Sequence, residues 1–171
     1  MLYSWQNIKR RLEGIKNPVM AEIGVYQGYL SERLLENIPR LTLYMIDSWA
    51  SETYLYDKRL HEKFDLQCEK NYELAKKVTD KYFGQAFIIR DSSINAAKHF
   101  FHDNFFDLVF IDAGHEYKDV KTDNTIWLPK VKSGGWLCGH DYPNAPGVVQ
   151  AVDEMFPNAE IDSDFCWFVR V

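Results

Sequence analysis

Two carboxylates and two imidazoles stand at matching places in the second half of the chain. Asp112 closes an apolar run, Leu108 to Ile111, and His115 follows three residues later. His140 and Asp141 close a second apolar run, Trp136 to Cys138, which Gly134-Gly135 introduce. Runs of this kind read as buried strands, and in an open α/β sheet ligands bind at the carboxyl edge of the strands. Asp112 and Asp141 would end adjacent parallel strands with their carboxylates close together. Like charges so placed repel unless they share a cation. An imidazole beside them, with a pKa near neutrality, can take or give a proton. The chemistry on offer is therefore cation binding with proton transfer. The competing structural readings are His115 as a helix cap or solvent-facing residue, and His140 as a packing histidine bonded to a loop carbonyl.

A second group lies earlier. Glu22-Ile23-Gly24-Val25-Tyr26-Gln27-Gly28 sits where a first strand turns into a helix. Its glycines let a ligand approach the backbone, and the next helix offers free N–H groups. The third glycine of a dinucleotide fingerprint is missing. Glu22 is an acid inside an apolar strand, and it needs a cation or amine unless it reaches solvent from an ordinary tight turn. Asp47 ends the next strand and is followed by Ser48 and Trp49. An acid there accepts from a ribose diol, or serves as a plain turn or cap aspartate. Trp49 could stack on an adenine face. Asp91-Ser92, at the end of a third strand, could meet the amine of the same base, or Asp91 could cap the following helix.

These groups need elements to hold them. The pattern predicts an N-terminal helix over about Ser4 to Ile15, within residues 1–17, and a strand over Val19 to Val25. A helix follows over Tyr29 to Asn37, then a strand from Leu41 to Ile46. A long surface helix is expected from about Asp65 to Tyr82, a third strand at Ala86 to Ile89 and a short helix at Ile94 to Phe101. Then come Leu108 to Asp112 as strand, about Tyr117 to Leu128 as helix, Trp136 to Gly139 as strand and Val148 to Met155 as helix. The last strand or a hairpin lies within Ala159 to Val171. Strands alternating with helices imply right-handed βαβ units, a mostly parallel sheet and helices on both faces. The short final link implies an antiparallel C-terminal strand. The expected fold is a three-layer, doubly wound, Rossmann-like α/β domain covering 1–171. Residues 51–64, rich in Tyr, His and charge, read as an excursion above the sheet edge. Asp119 and Asp123, with Lys118 and Lys121, read as the solvated face of a helix; His61, His99 and His102 read as surface residues.

Composition narrows the partners. A 46% hydrophobic fraction in 171 residues is ample for one packed domain. The net charge of -5 and the lack of a basic block argue against nucleic acid. No segment reaches membrane-spanning length and the polar N-terminus has no signal-peptide core, so no membrane partner is expected. Three cysteines without metal-type spacing point to a reduced, cytoplasmic compartment. Oligomeric state is left open, a homo-oligomer included.

The EIGVYQG turn, the Asp47 and Asp91-Ser92 strand ends, and the IDAGHEY…DNTIWLPKVKSGGWLCGHDY block resemble class I S-adenosylmethionine-dependent methyltransferases. More narrowly, the chain from Val19 onward resembles the branch of macrolide-sugar (mycinamicin and macrocin) O-methyltransferases and cephalosporin hydroxylase-type proteins. The resemblance implies S-adenosylmethionine as cofactor, a small-molecule methyl acceptor, and a divalent metal such as Mg²⁺ or Mn²⁺. It assigns Glu22, Gly24 and Gly28 to the methionine end, Asp47 to the ribose, and Asp91 with Ser92 to the adenine. It makes Asp112 the metal-binding acid, His115 the general base, and His140 with Asp141 the remaining metal ligands. In the macrolide enzymes that last pair is acidic; a histidine in its first place shifts preference towards softer ions such as Mn²⁺ or Zn²⁺. The short N-terminal helix would leave residues 51–64, or a neighbouring subunit, to act as substrate lid. The alternatives from other classes are a nicotinamide-dependent oxidoreductase and a cofactor-binding module without catalysis.

Overall fold

The structure is a computed structural model, and it describes residues 3–50 and 61–171. Five strands form the parallel core: β1 (Val19–Ile23), β2 (Thr42–Asp47), β3 (Ala86–Arg90), β4 (Phe106–Ile111) and β5 (Val131–Gly139). Two short strands, β6 (Glu160–Ile161) and β7 (Trp167–Arg170), finish the sheet as an antiparallel hairpin. The order is β3-β2-β1-β4-β5-β7-β6, with β7 antiparallel to β5. The order in which strands are laid down reverses between β1 and β4, and the carboxyl ends of these two strands are the usual ligand position in such sheets.

Among the described residues six α-helices cover the two faces: α1 (Ser4–Arg11), α2 (Tyr29–Asn37), α3 (His61–Lys81), α4 (Ser93–His99), α5 (Tyr117–Trp127) and α6 (Pro146–Met155). Ile8, Leu34, Leu35, Ala75 and Val78 carry α1–α3 onto one face, beside Leu43, Met45 and Phe110. Ala96, Ala97, Val120, Trp127, Val148 and Ala151 carry α4–α6 onto the other, beside Ile46, Val109 and Leu137. Strands covered on both faces have no polar side to alternate with, which is why β4 reads as an unbroken apolar run. Its one acid, Asp107, lies near its start, where it accepts from the Val19 amide at 2.8 Å and pairs with Lys132 at 2.8 Å.

Three boundaries differ from the sequence pattern by four residues or more. Helix α1 ends at Arg11 instead of running to Ile15, because Gly14 takes the left-handed conformation (φ 87°) and leaves Ile15 exposed. Strand β5 begins at Val131, five residues before Trp136, since pairing with β4 resumes across an irregularity that absorbs Lys132 to Gly135. Helix α3 starts at His61 and so includes the end of the expected 51–64 excursion, while residues 51–60, with Tyr54 and Tyr56, lie outside the described residues. Among the described residues no helix is long and apolar enough to cross a membrane.

Candidate functional site

The β1–α2 turn is built by close backbone approach. Gly24 has φ 89°, and its amide donates to the Ile46 carbonyl at 2.9 Å while the Asp112 amide donates to Ile23 at 2.8 Å. A Cβ on Gly24 would lie 2.0 Å from the Asp112 carbonyl oxygen, so only glycine lets β1 and β4 end side by side. Asp47 holds this turn from the next strand. Its Oδ2 accepts from the Val25 and Tyr26 amides at 3.0 and 2.9 Å, and its Oδ1 from the Trp49 amide at 2.9 Å. The carboxylate is thus a turn staple as it stands, and Ser48 sits beside it, partly buried. Trp49 departs from the expectation of an open stacking face. Its ring is 4% exposed, donates Nε1–H to the Tyr26 carbonyl at 2.7 Å and meets Tyr72 edge-on at 5.1 Å.

Glu22 does not reach solvent: it is 2% exposed, and the Ser31 hydroxyl of α2 donates to it at 2.5 Å. Burial pushes its carboxyl up to about 8; the Ser31 bond opposes this, and the nearby charges of Asp112 and Asp47 add to it. Burial thus favours the protonated form of Glu22, and its hydrogen-bond partner within the chain is Ser31.

At the end of β3, Asp91 and Ser92 form the start of α4. Ser92 Oγ accepts from the Asn95 amide at 3.2 Å, and Asp91 Oδ1 accepts from the Ser92 amide and the Asn95 side chain at 2.7 and 3.0 Å. The Asp91 amide donates to the Asp47 carbonyl, which joins this turn to the one before it.

Strands β4 and β5 deliver the acidic pair as expected. The loop after β4 curls back, placing His115 Nε2 2.8 Å from Asp141 Oδ2 and 3.8 Å from Asp112 Oδ1. One ligand atom from each of Asp112, His115 and Asp141 lies within 4.8 Å of the others, a donor set that suits a divalent cation. The carboxylates of Asp112 and Asp141 hold the His115 imidazole above its ordinary pKa, against the opposing effect of burial. His140 stands apart from this group, contrary to the expected set Asp112, His140 and Asp141. Its ring sits edge-on to Phe165 at 6.1 Å, and its Nδ1 reaches the far oxygen of Asp141 at 3.3 Å. Asp141 adopts φ 64°, a conformation aspartate tolerates better than most residues. A shallow cavity beside the cluster is lined by Asp112, His115 and His140 over Ile111, Val120 and Trp167.

Two further expectations divide. Asp119 is exposed on α5, but Asp123 is only 6% exposed and accepts from the Ser93 hydroxyl at 2.5 Å, so it does not belong to a solvated face. Burial pushes its carboxyl up to about 6. The sequence signal was there: Asp123 falls three residues after Val120 and four before Trp127, on the inward stripe of α5.

Comparison with known proteins agrees with this architecture. The structure of the O-methyltransferase NovP superposes with a TM-score of 0.69 at 19% identity, covering 97% of this chain and 78% of that one. A putative caffeoyl-CoA O-methyltransferase from Staphylococcus aureus gives 0.65 at 16% identity, covering 98% and 83%. A putative O-methyltransferase from Klebsiella pneumoniae gives 0.62 at 15% identity, covering 100% and 82%. At these identities the likeness is one of fold. No curated protein matches the sequence. The family model described as a methyltransferase domain matches residues 21–142, a span that takes in every site residue above from Glu22 to Asp141. The chain belongs to this methyltransferase-domain family and is an S-adenosylmethionine-dependent methyltransferase.

Proposed function

We propose that the enzyme methylates a hydroxyl group of a small molecule, with a divalent cation of the Mg²⁺ or Mn²⁺ kind at Asp112 and Asp141 and with His115 as general base. The observation that carries this reading is the Asp112–His115–Asp141 cluster at the carboxyl edge, next to the Gly24 turn. Two carboxylates are suitable donors for such an ion, and the imidazole beside them is placed to take a proton.

In this reading Glu22, Gly24 and Gly28 line the methionine end, Asp47 with Ser48 the ribose side, and Asp91 with Ser92 the adenine side. S-adenosylmethionine supplies a methyl group on sulfonium, ready for in-line attack. A bound cation would lower the pKa of the acceptor hydroxyl. His115, donating Nε2–H to Asp141, keeps Nδ1 free to accept the hydroxyl proton, and both carboxylates stabilise the imidazolium that results. The chain otherwise works by position, holding two substrates in reacting geometry.

Calorimetry with S-adenosylhomocysteine and a mass-shift assay over hydroxylated small molecules test the reading. His115→Ala should lower turnover by about 10²- to 10⁴-fold and leave cofactor affinity nearly intact. Unchanged turnover would remove the base. Full activity after chelation would remove the cation, and no cofactor binding at millimolar ligand would remove the whole proposal.

A further inference from the structure

The buried carboxylate of Asp123 has no part in the chemistry above, yet it ties the two halves of the site together. Asp123 Oδ1 accepts from Ser93 Oγ at 2.5 Å, and the same hydroxyl oxygen accepts from Trp127 Nε1 at 2.8 Å. Ser93 opens α4 directly after Asp91-Ser92. That turn closes on itself through Asn95 and has an outside anchor on the sheet side, the bond from its Asp91 amide to the Asp47 carbonyl. Asp123 and Trp127 anchor it on the other side, to α5. Helix α5 in turn begins directly after His115: the Glu116 carbonyl accepts from the Asp119 and Val120 amides. One helix is therefore bonded to the turn after β3 and continuous with the loop after β4.

Keeping an acid at this depth is unfavourable. Burial pushes the Asp123 carboxyl up to about 6, with the charge of Asp119 one turn away adding to it, and a leucine would be easier to bury. A polar group retained in such a place needs a partner worth holding, and Ser93 is that partner. We propose that Asp123 is a positioning residue for the cofactor, fixing the adenine-side turn Asp91–Ser92 to helix α5 through the Ser93 hydroxyl. The proposal rests on the assignment of that turn to the adenine.

Calorimetric affinity for S-adenosylhomocysteine, measured on the full chain and on Ser93→Ala, Asp123→Ala, the double variant, Asp123→Asn and Asp91→Ala, tests it. Ser93→Ala and Asp123→Ala should each weaken binding by about tenfold, the size of one buried hydrogen bond to a charged group. The double variant should be no weaker than Ser93→Ala, because that single already removes the Asp123 bond together with the one from Trp127. Asp123→Asn keeps an acceptor oxygen and should stay within about twofold of the parent. The turnover number at saturating cofactor should barely change, so the effect appears in KM alone. Losses that multiply in the double variant would overturn the proposal, as would parent affinity in both singles accompanied only by a lower Tm. If Asp123→Ala does not fold, Ser93→Ala with rescue by Ser93→Thr decides in the same terms. A parent that binds while Asp91→Ala binds equally well would overturn the adenine assignment, and this inference with it.

Discussion

Replacing Glu22 by glutamine should abolish a defined part of the protein's pH-dependent stability. In the fold burial pushes this carboxyl up to about 8, from 4.5 when free in water. The folded state therefore keeps the proton between those two values while the unfolded state has lost it. Stability must fall as pH rises through that window and level off above it. At about 1.4 kcal/mol per pH unit the full loss approaches about 5 kcal/mol, a large share of the roughly 5–15 kcal/mol that holds a domain together. Below pH 4.5 both states are protonated and Glu22 contributes no pH dependence. Glutamine is neutral throughout, fits the same space and can still accept from Ser31. Urea unfolding of parent and Glu22→Gln at pH 5, 7 and 9 isolates the term, because the other ionisable groups act alike in both. The difference should shift in favour of glutamine with each step. Parallel stability curves would refute the reasoning, and would mean that Glu22 is ionised with an ordinary pKa despite its burial. As a check on cause, Asp112→Asn removes one of the charges that raise Glu22 and should move the midpoint down.

Gly24→Ala should destabilise the fold by about 2–5 kcal/mol, combining a left-handed backbone with a methyl 2.0 Å from the Asp112 carbonyl; an unchanged Tm would show that β1 and β4 can separate there freely. Manganese affinity, read by calorimetry, should collapse in Asp112→Asn and in Asp141→Asn but change by no more than about tenfold in His140→Ala. Equal collapse in all three would restore His140 as a ligand.

The layers of the fold were legible because their signals are local. Apolar runs ending in Asp47, Asp112 and Asp141 mark buried parallel strands, and inward stripes such as Leu30, Leu34 and Leu35 mark the helices between them. What was not legible depends on contacts between distant segments. Nothing near Gly134-Gly135 says that β5 has already begun at Val131; that follows from Phe106 pairing with Val131 and the register shifting before Leu108. Trp49 follows a strand end and looked available to a ligand, but Tyr72, more than twenty residues on, and the Tyr26 carbonyl claim its ring. Asp123 looked solvated because Lys118, Asp119 and Lys121 surround it in sequence, whereas its real neighbour is Ser93 on another helix.

The choice between the two histidines turns on the geometry past the strand ends. His140 and Asp141 are adjacent, and the family resemblance made both of them ligands of one ion. The pair lies just past the end of β5, and there the two side chains diverge: His140 turns to Phe165 while Asp141 turns to His115. Strand β5 ends at Gly139, His140 sits in the bend that follows with its ring towards Phe165, and φ turns positive at Asp141. His115 lies in a loop, where three residues after Asp112 suffice to bring its ring back over the strand ends. The Asp-x-x-His spacing is thus the more reliable signal of the two. It explains why Asp141 is gripped from both sides: His115 takes the oxygen facing the cluster, and His140 steadies the other.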